Sequence, residues 1–253
     1  MKLAVCVVLF HPTEEDGKHL SFLKRYASHL FVYDNTQENR GLPAVYNDAL
    51  SQASSAGCTH LMILDQDSRF TKAVLDQYLS CIGRNKENGV ILFSPKHRGV
   101  SSQGCAFKKD RMSLSSGWVI DVSHAKSIGG FDESFFIDEV DHEFVLRAWS
   151  KGYTTISFDN IVLSHRLGKK HAVWKIRYTC YRPERYYYML RNFLFLFDRY
   201  AGHAFVKERR GYMLKFFLKS LCFCSNRYKI VKMLYRGYKD YRARNQGKRI
   251  DIV

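Results

Sequence analysis

Short apolar runs of strand length return roughly every thirty residues through the first hundred positions, at residues 3–10, 31–33, 60–64 and 90–93, and helical patterns fill the gaps between them. Thr13 is followed three residues later by Asp16, a capping-box spacing, after which Leu20, Leu23, Tyr26, Ala27 and Leu30 keep helical periodicity. A second helix starts around Pro43, suited to a first-turn position, and stops at Gly57; a third covers residues 71–82. Strand and helix alternating in this way predict an α/β fold, Rossmann-like, with a mostly parallel central sheet whose ligands sit at the carboxyl ends of the strands.

The pattern then changes. Residues 118–122 read as a strand, 123–128 as a short helix, 141–150 as a helix, and 153–158 as a strand closed by Asp159 and Asn160. Beyond Pro183 only helical signals remain, over residues 185–200, 203 to about 222, and 228 to about 244. We therefore expect an α/β domain over residues 1–200 and a basic, amphipathic helical C-terminal extension over 201–253. With 46% hydrophobic residues and 4 prolines among 253, the chain is neither disordered nor fibrous. No stretch approaches the length and apolarity of a membrane span, and the short run before His11 and Pro12 reads as a first strand rather than a leader. The 7 cysteines form an odd set without a CxxC pair, which predicts reduced thiols and a cytoplasmic setting.

Chemistry concentrates where apolar strands end in acids. Leu61, Met62, Ile63 and Leu64 run into Asp65, Gln66, Asp67 and Ser68. Two carboxylates one residue apart at a strand end can turn toward one ion, and Mg²⁺ or Mn²⁺ is commonly held by one or two carboxylates together with substrate phosphates. The plain alternative is a polar strand end in which Asp65 caps the next turn. Asp34 closes the strand at 31–33 in the same manner; it could accept the N3 hydrogen of a uracil or thymine ring, or simply form an Asx-turn. No GxGxxG follows the first strand, so the chain lacks the dinucleotide fingerprint.

A third cluster, residues 131–143, interleaves six acids with aromatic residues and leads into a helix at Asp141. An acid there is favoured by the helix dipole and could also deprotonate a sugar hydroxyl as general base. Farther on, His165 could complete a metal's coordination or touch a phosphate oxygen, and Arg166, Lys169 and Lys170 could neutralise a leaving diphosphate. A solvated basic loop would have the same composition.

Taken together, these segments resemble the family 2 glycosyltransferases, in particular their bacterial rhamnosyltransferase-like branch, from about Lys2 to Asn192. Residues 7–12 resemble the opening strand and turn, Tyr33-Asp34-Asn35 the base-binding strand end, and residues 39–47 the N-x-G-(I/L)-x-x-A-x-N stretch beside the donor. Asp65-Gln66-Asp67-Ser68 resembles the branch's metal motif. Ser116-Gly117, residues 129–133 and residues 136–141 resemble its acceptor-side block, and residues 165–168 and 188–192 its downstream motifs. The resemblance implies a GT-A fold and an inverting enzyme that uses a divalent cation. It implies donor contacts at Asp34, Asn39, Gly41, Asn47, Asp65 and Arg166, metal ligation by Asp67 with Asp65 and His165, and Asp141 as the base. Two departures stand out: Phe10-His11-Pro12 replaces the commoner Tyr-Asn-Pro, and Val140-Asp141 replaces Glu-Asp, which leaves Asp138 as a competing base. The implied donor is dTDP-rhamnose or a UDP-sugar, and the acceptor a glycan or lipid-linked glycan for cell-surface polysaccharide.

The net charge is +16, and residues 201–253 hold 14 Lys and Arg against 3 acids, so most of the excess lies in the extension. Lys215 and Lys219 lie four apart among Phe and Leu, and seven further cations run from Arg227 to Arg244. This predicts either an interfacial helix on an anionic membrane, at the inner face of the cell membrane, or a helix packed on the protein with its lysines in water. A nucleic-acid-binding protein would share the charge but leave the acid-ended strands unexplained, and no nucleic-acid partner is expected. A nucleotidyltransferase would need a glycine-rich, lysine-containing phosphate loop near the first strand, and none is present.

Overall fold

The computed structural model describes residues 1–165, 170–173, 176–249 and 251–252, with the backbone alone for His165, Lys170–Val173 and Ile176. It comprises two compact units, residues 1–133 with 140–166, and residues 134–139 with 167–253.

The first unit alternates strand and helix: β1 (Leu3–Leu9), α1 (Glu14–Leu23), β2 (His29–Asp34), α2 (Leu42–Ser55), β3 (His60–Asp65), β4 (Ser68–Arg69), α3 (Lys72–Arg84) and β5 (Val90–Lys96). It continues through β6 (Phe107–Lys109), β7 (Val119–Asp121), α4 (Val122–Ser127), α5 (Val140–Ser150), β8 (Thr154–Val162) and β9 (Ser164–His165). Seven of the strands form one sheet in the order β2-β1-β3-β7-β5-β8-β6. β1 pairs in parallel with β2 and β3, and β5 with β8, while β7 and β6 run antiparallel to their neighbours. Every residue of β1 is buried, as a central strand covered on both faces requires. The core joins Val5, Val7, Met62 and Leu64 to Tyr78 of α3 and to Phe93 and Phe158.

Helix starts follow the capping logic of the sequence. Asp16 Oδ2 accepts from both the Thr13 backbone N–H and the Thr13 hydroxyl at 2.8 Å, so the expected capping box on α1 is present. Thr71 caps α3 through Val74 N, and Asp121 caps α4 through His124 N.

The second unit contains the hairpin β10 (Lys170–Val173) and β11 (Ile176–Thr179), then α6 (Pro183–Tyr200), α7 (Ala204–Phe223) and α8 (Arg227–Arg242). The three long helices match the expected ones to within a few residues, but α6 belongs with α7 and α8 in this unit. Residues 134–139 join it through Asn192, whose amide donates to the carbonyls of Phe135 and Ile137 at 2.6 Å each.

One expectation is corrected. Cys81 is bonded to Cys105 within the first unit and Cys180 to Cys224 within the second, so these four are not reduced thiols; Cys6, Cys58 and Cys222 are free. Sequence spacing carries no information on which distant cysteines the fold brings together. Among the described residues no helix is long and apolar enough to cross a membrane.

Candidate active site

The parallel trio β2-β1-β3 sets two acids on one rim. Leu9 is in register with Asp34 and Val8 with Asp65, so these carboxylates flank the carboxyl end of β1 on neighbouring strands. At ordinary strand spacing their backbones lie about 10 Å apart. Hydrogen bonds knit the loops of this rim together. Phe10 N donates to Gln66 Oε1 at 2.7 Å, His11 N to Thr36 Oγ1 at 2.7 Å, and Asn35 N to Leu9 O at 2.9 Å. Asp34 Oδ1 accepts from Thr36 N at 2.9 Å and from the Thr36 hydroxyl, and these bonds hold its carboxyl below its ordinary pKa. Asp34 thus forms the Asx-type turn, while Oδ2 of this exposed side chain receives no hydrogen bond from described residues. One oxygen shapes the turn and the other faces outward.

The acidic turn at the end of β3 is held from below. Asp65 N donates to Ser116 Oγ at 2.9 Å, and the Ser116 and Ser68 hydroxyls lie 2.7 Å apart in a buried pair. Gln66, between the two acids, donates through Nε2 to Asp16 Oδ2 at 2.8 Å, and Arg69 Nη2 reaches Asp16 Oδ1 at 2.7 Å. Burial would raise the Asp16 pKa, but hydrogen bonds from Thr13, Gln66 and Arg69 outweigh it and bring the carboxyl to about 2. The same acid that caps α1 therefore fixes the Gln66 end of the turn, leaving Asp65 and Asp67 half-buried at its surface. β4 pairs antiparallel with β9, and Ser68 is opposite His165, so the His165 backbone borders this turn. Arg166 and Lys169 lie outside the described residues, as do the side chains of His165 and Lys170.

Among the described residues no three His, Cys, Asp or Glu side chains converge on one point. A hard cation bound by one or two carboxylates plus phosphate oxygens needs no such triad, so a half-exposed Asp65-Asp67 turn fits Mg²⁺ or Mn²⁺.

Asp141 occupies the first turn of α5, mostly buried, with Oδ1 accepting from His142 N at 2.9 Å and lying 3.7 Å from His142 Nδ1. One helical turn on, Phe144 stacks on Phe131 at 4.4 Å, and Phe131 packs on Tyr46 at 5.1 Å. Tyr46 is fully buried in α2, with the Ser115 side chain as a polar neighbour of its hydroxyl. Burial, followed by the negative charge of Asp65, pushes its pKa well above the ordinary value, and Asp141 adds to the effect.

Asn39 and Gly41 shape the start of α2: Gly41 N donates to Asn39 Oδ1 at 3.0 Å, and Gly41 takes φ of 80°, open to glycine. The Asn47 amide is committed elsewhere in the unit. Its Nδ2 donates to Phe131 O at 2.9 Å and Glu133 Oε1 at 2.8 Å, and Oδ1 accepts from Phe131 N at 2.7 Å. It pins the chain leading toward α5. Asp138 is held by Arg185 through Nη2 at 2.8 Å and Nε at 3.1 Å, both within the second unit. Ser116 and Tyr46 both stand within motifs, Tyr46 at a position the motif leaves open, whereas nothing in the sequence singles out Arg69.

This seven-stranded sheet with helices defines a class: the fold is that of the GT-A glycosyltransferases. Among solved structures, S. aureus TarS residues 1–349, in complex with UDP-GlcNAc, superposes with a TM-score of 0.50 over 95% of this chain and 80% of that 1–349 chain at 14% identity. In sequence the chain is similar to the dTDP-rhamnosyl transferase RfbF of Shigella flexneri, 26% identical over 174 residues, covering 61% of this chain and 58% of that protein. It thus spans under two thirds of this curated relative. The resemblance to rhamnosyltransferases read from the motifs is found again in that match. No family model matches the chain.

Proposed function

We propose that this protein transfers a sugar, with rhamnose the first choice, from a nucleotide-diphosphate donor to a hydroxyl of a glycan or lipid-linked glycan, with inversion at the anomeric carbon. The supporting observation is the rim at the end of β1, which Asp34 and Asp65 flank on neighbouring strands. The similarity to a dTDP-rhamnosyl transferase supports dTDP-rhamnose as donor, and the likeness to a structure holding UDP-GlcNAc keeps UDP-sugars in the same test.

In this reading Asp34 Oδ2 accepts the N3 hydrogen of the pyrimidine. Asp65 and Asp67, with His165, hold a divalent cation that supplies charge neutralisation at the diphosphate. Arg166, Lys169 and Lys170 add positive charge on the leaving-group side. Asp141 takes the proton from the acceptor hydroxyl as that oxygen attacks the anomeric carbon from the face opposite the departing phosphate, so a single displacement inverts the centre. Asn39 and Gly41 shape the loop beside the donor, and Asn47 positions the chain that carries Asp141.

Incubation with dTDP-rhamnose or a UDP-sugar plus Mn²⁺ tests the reading. Release of nucleoside diphosphate is expected, whereas pyrophosphate would identify a nucleotidyltransferase. Asp67→Asn is expected to abolish Mn²⁺-dependent donor binding in calorimetry; unchanged affinity would remove the metal role. Asp141→Asn is expected to keep donor affinity and lower turnover by about 10²–10⁴-fold; near wild-type turnover would move the base elsewhere.

A further inference from the structure

The most distinctive surface outside the site is one face of α8. Tyr228, Val231, Tyr235 and Tyr238 are 81%, 51%, 65% and 45% exposed. Their spacing of three, four and three residues puts them in one stripe along the helix. The opposite face is fixed: Ile230 and Gly237 are buried, and a Cβ at Gly237 would come within 2.7 Å of the Tyr187 carbonyl oxygen of α6. Packing within this unit therefore turns the tyrosine stripe outward.

Arg227, Lys232, Lys239 and Arg242 border the stripe, all exposed, and none is in an ion pair among the described residues. The acid of α8, Asp240, lies toward α6, accepting from the Tyr187 hydroxyl at 2.6 Å. Four other cations of the extension are neutralised, Arg209 by Glu139, Arg236 by Asp251, Arg244 by Asp198, and Arg249 by Asp240 and Asp251. At the end of the stripe Tyr238, Tyr241, Arg242 and Arg244 line a shallow depression of about 360 Å³.

We propose that this face of α8 docks the protein on an anionic lipid bilayer. A helix whose exposed side combines amphipathic aromatic rings with cations of one sign suits the headgroup layer, where tyrosine hydroxyls stay hydrated and Lys and Arg meet lipid phosphates. Charge complementarity selects this occupant over a second copy, because pairing two such faces would set four cations against four. The expectation from sequence joined Lys215 and Lys219 of α7 to the cations of α8; the proposal assigns the docking face to α8.

The test uses the full chain and sedimentation with vesicles of phosphatidylcholine, with and without 30% phosphatidylglycerol. Binding is expected only to the anionic vesicles and is expected to fall in 0.5 M NaCl. Replacing Lys232, Lys239 and Arg242 with Glu is expected to weaken binding on the order of a hundredfold. Replacing Lys24, Lys86 and Lys151 with Glu changes net charge equally in the first unit and is expected to have little effect; a CD spectrum shows that both variants fold. Tyr228→Ser with Tyr235→Ser is expected to weaken binding without changing its salt dependence. Equal loss in both charge variants would reduce the effect to net charge and overturn the proposal. So would the absence of vesicle binding, preferential retention of RNA by the same face, or a dimer that the α8 variant dissolves.

Discussion

At the scale of single residues, the acids of the rim serve two purposes, holding local structure and facing outward. Asp34 closes a turn with one oxygen and offers the other, and Asp16 caps α1 while steadying the Gln66 end of the acidic turn. Next to that network lies His19, buried, with Nε2 unpartnered among the described residues. Burial, followed by the positive charge of Arg69, lowers its pKa to about 4, against the opposing pull of Asp16. A depressed histidine is neutral in the folded chain and protonated in the unfolded chain between about pH 6.5 and 4, so stability falls as the pH drops through that window. We predict a loss on the order of 1–3 kcal/mol across it, measured by urea denaturation, and a flatter pH profile in His19→Gln. An unchanged profile in the variant would remove His19 as the cause. Residue chemistry was partly legible in the sequence: the acids stood at strand ends, where parallel sheets bind ligands. Tyr46 was not, because a tyrosine within an apolar helical run looks like core, and its packing on Phe131 emerges only from the fold.

At the scale of elements, β1, β2, β3, α3 and the three C-terminal helices were legible because each repeats one periodicity over most of its length. The short β4 and β9 pair was not, since two-residue strands carry no period and their pairing depends on the fold bringing Ser68 opposite His165. The hairpin of β10 and β11 was missed as well: its strands are four residues each, and the single alternation of Ile176 and Tyr178 with Arg177 and Thr179 is too short to stand out. Close packing of α6 and α8 depends on a missing side chain. Gly237→Ala would force a methyl to 2.7 Å from the Tyr187 carbonyl oxygen. We predict that it destabilises the protein by about 1–3 kcal/mol, seen as a lower urea midpoint, despite the better helix propensity of alanine. A stabilised variant would mean that the helices part without cost.

At the scale of the whole molecule, the basic excess and the acid rim belong to different parts of the chain. Most of the surplus charge lies in residues 201–253, whereas Asp34, Asp65, Asp67 and Asp141 all belong to the first unit. That separation was legible in the sequence, as was the α/β class. The disulfides were not, and they remove the cysteine argument for a cytoplasmic setting; a place at the inner face of the cell membrane now depends on the α8 surface. The central claim is that one nucleotide-diphosphate donor lies along the rim from Asp34 to the Asp65-Asp67 turn, within reach of Asp141. A crystal structure of the protein with dTDP and Mn²⁺ measures this most directly. The account predicts the thymine ring at Asp34, with the diphosphate and the ion at the Asp65-Asp67 turn. A nucleotide bound away from that rim, or one whose diphosphate and ion avoid both carboxylates of the turn, would contradict it.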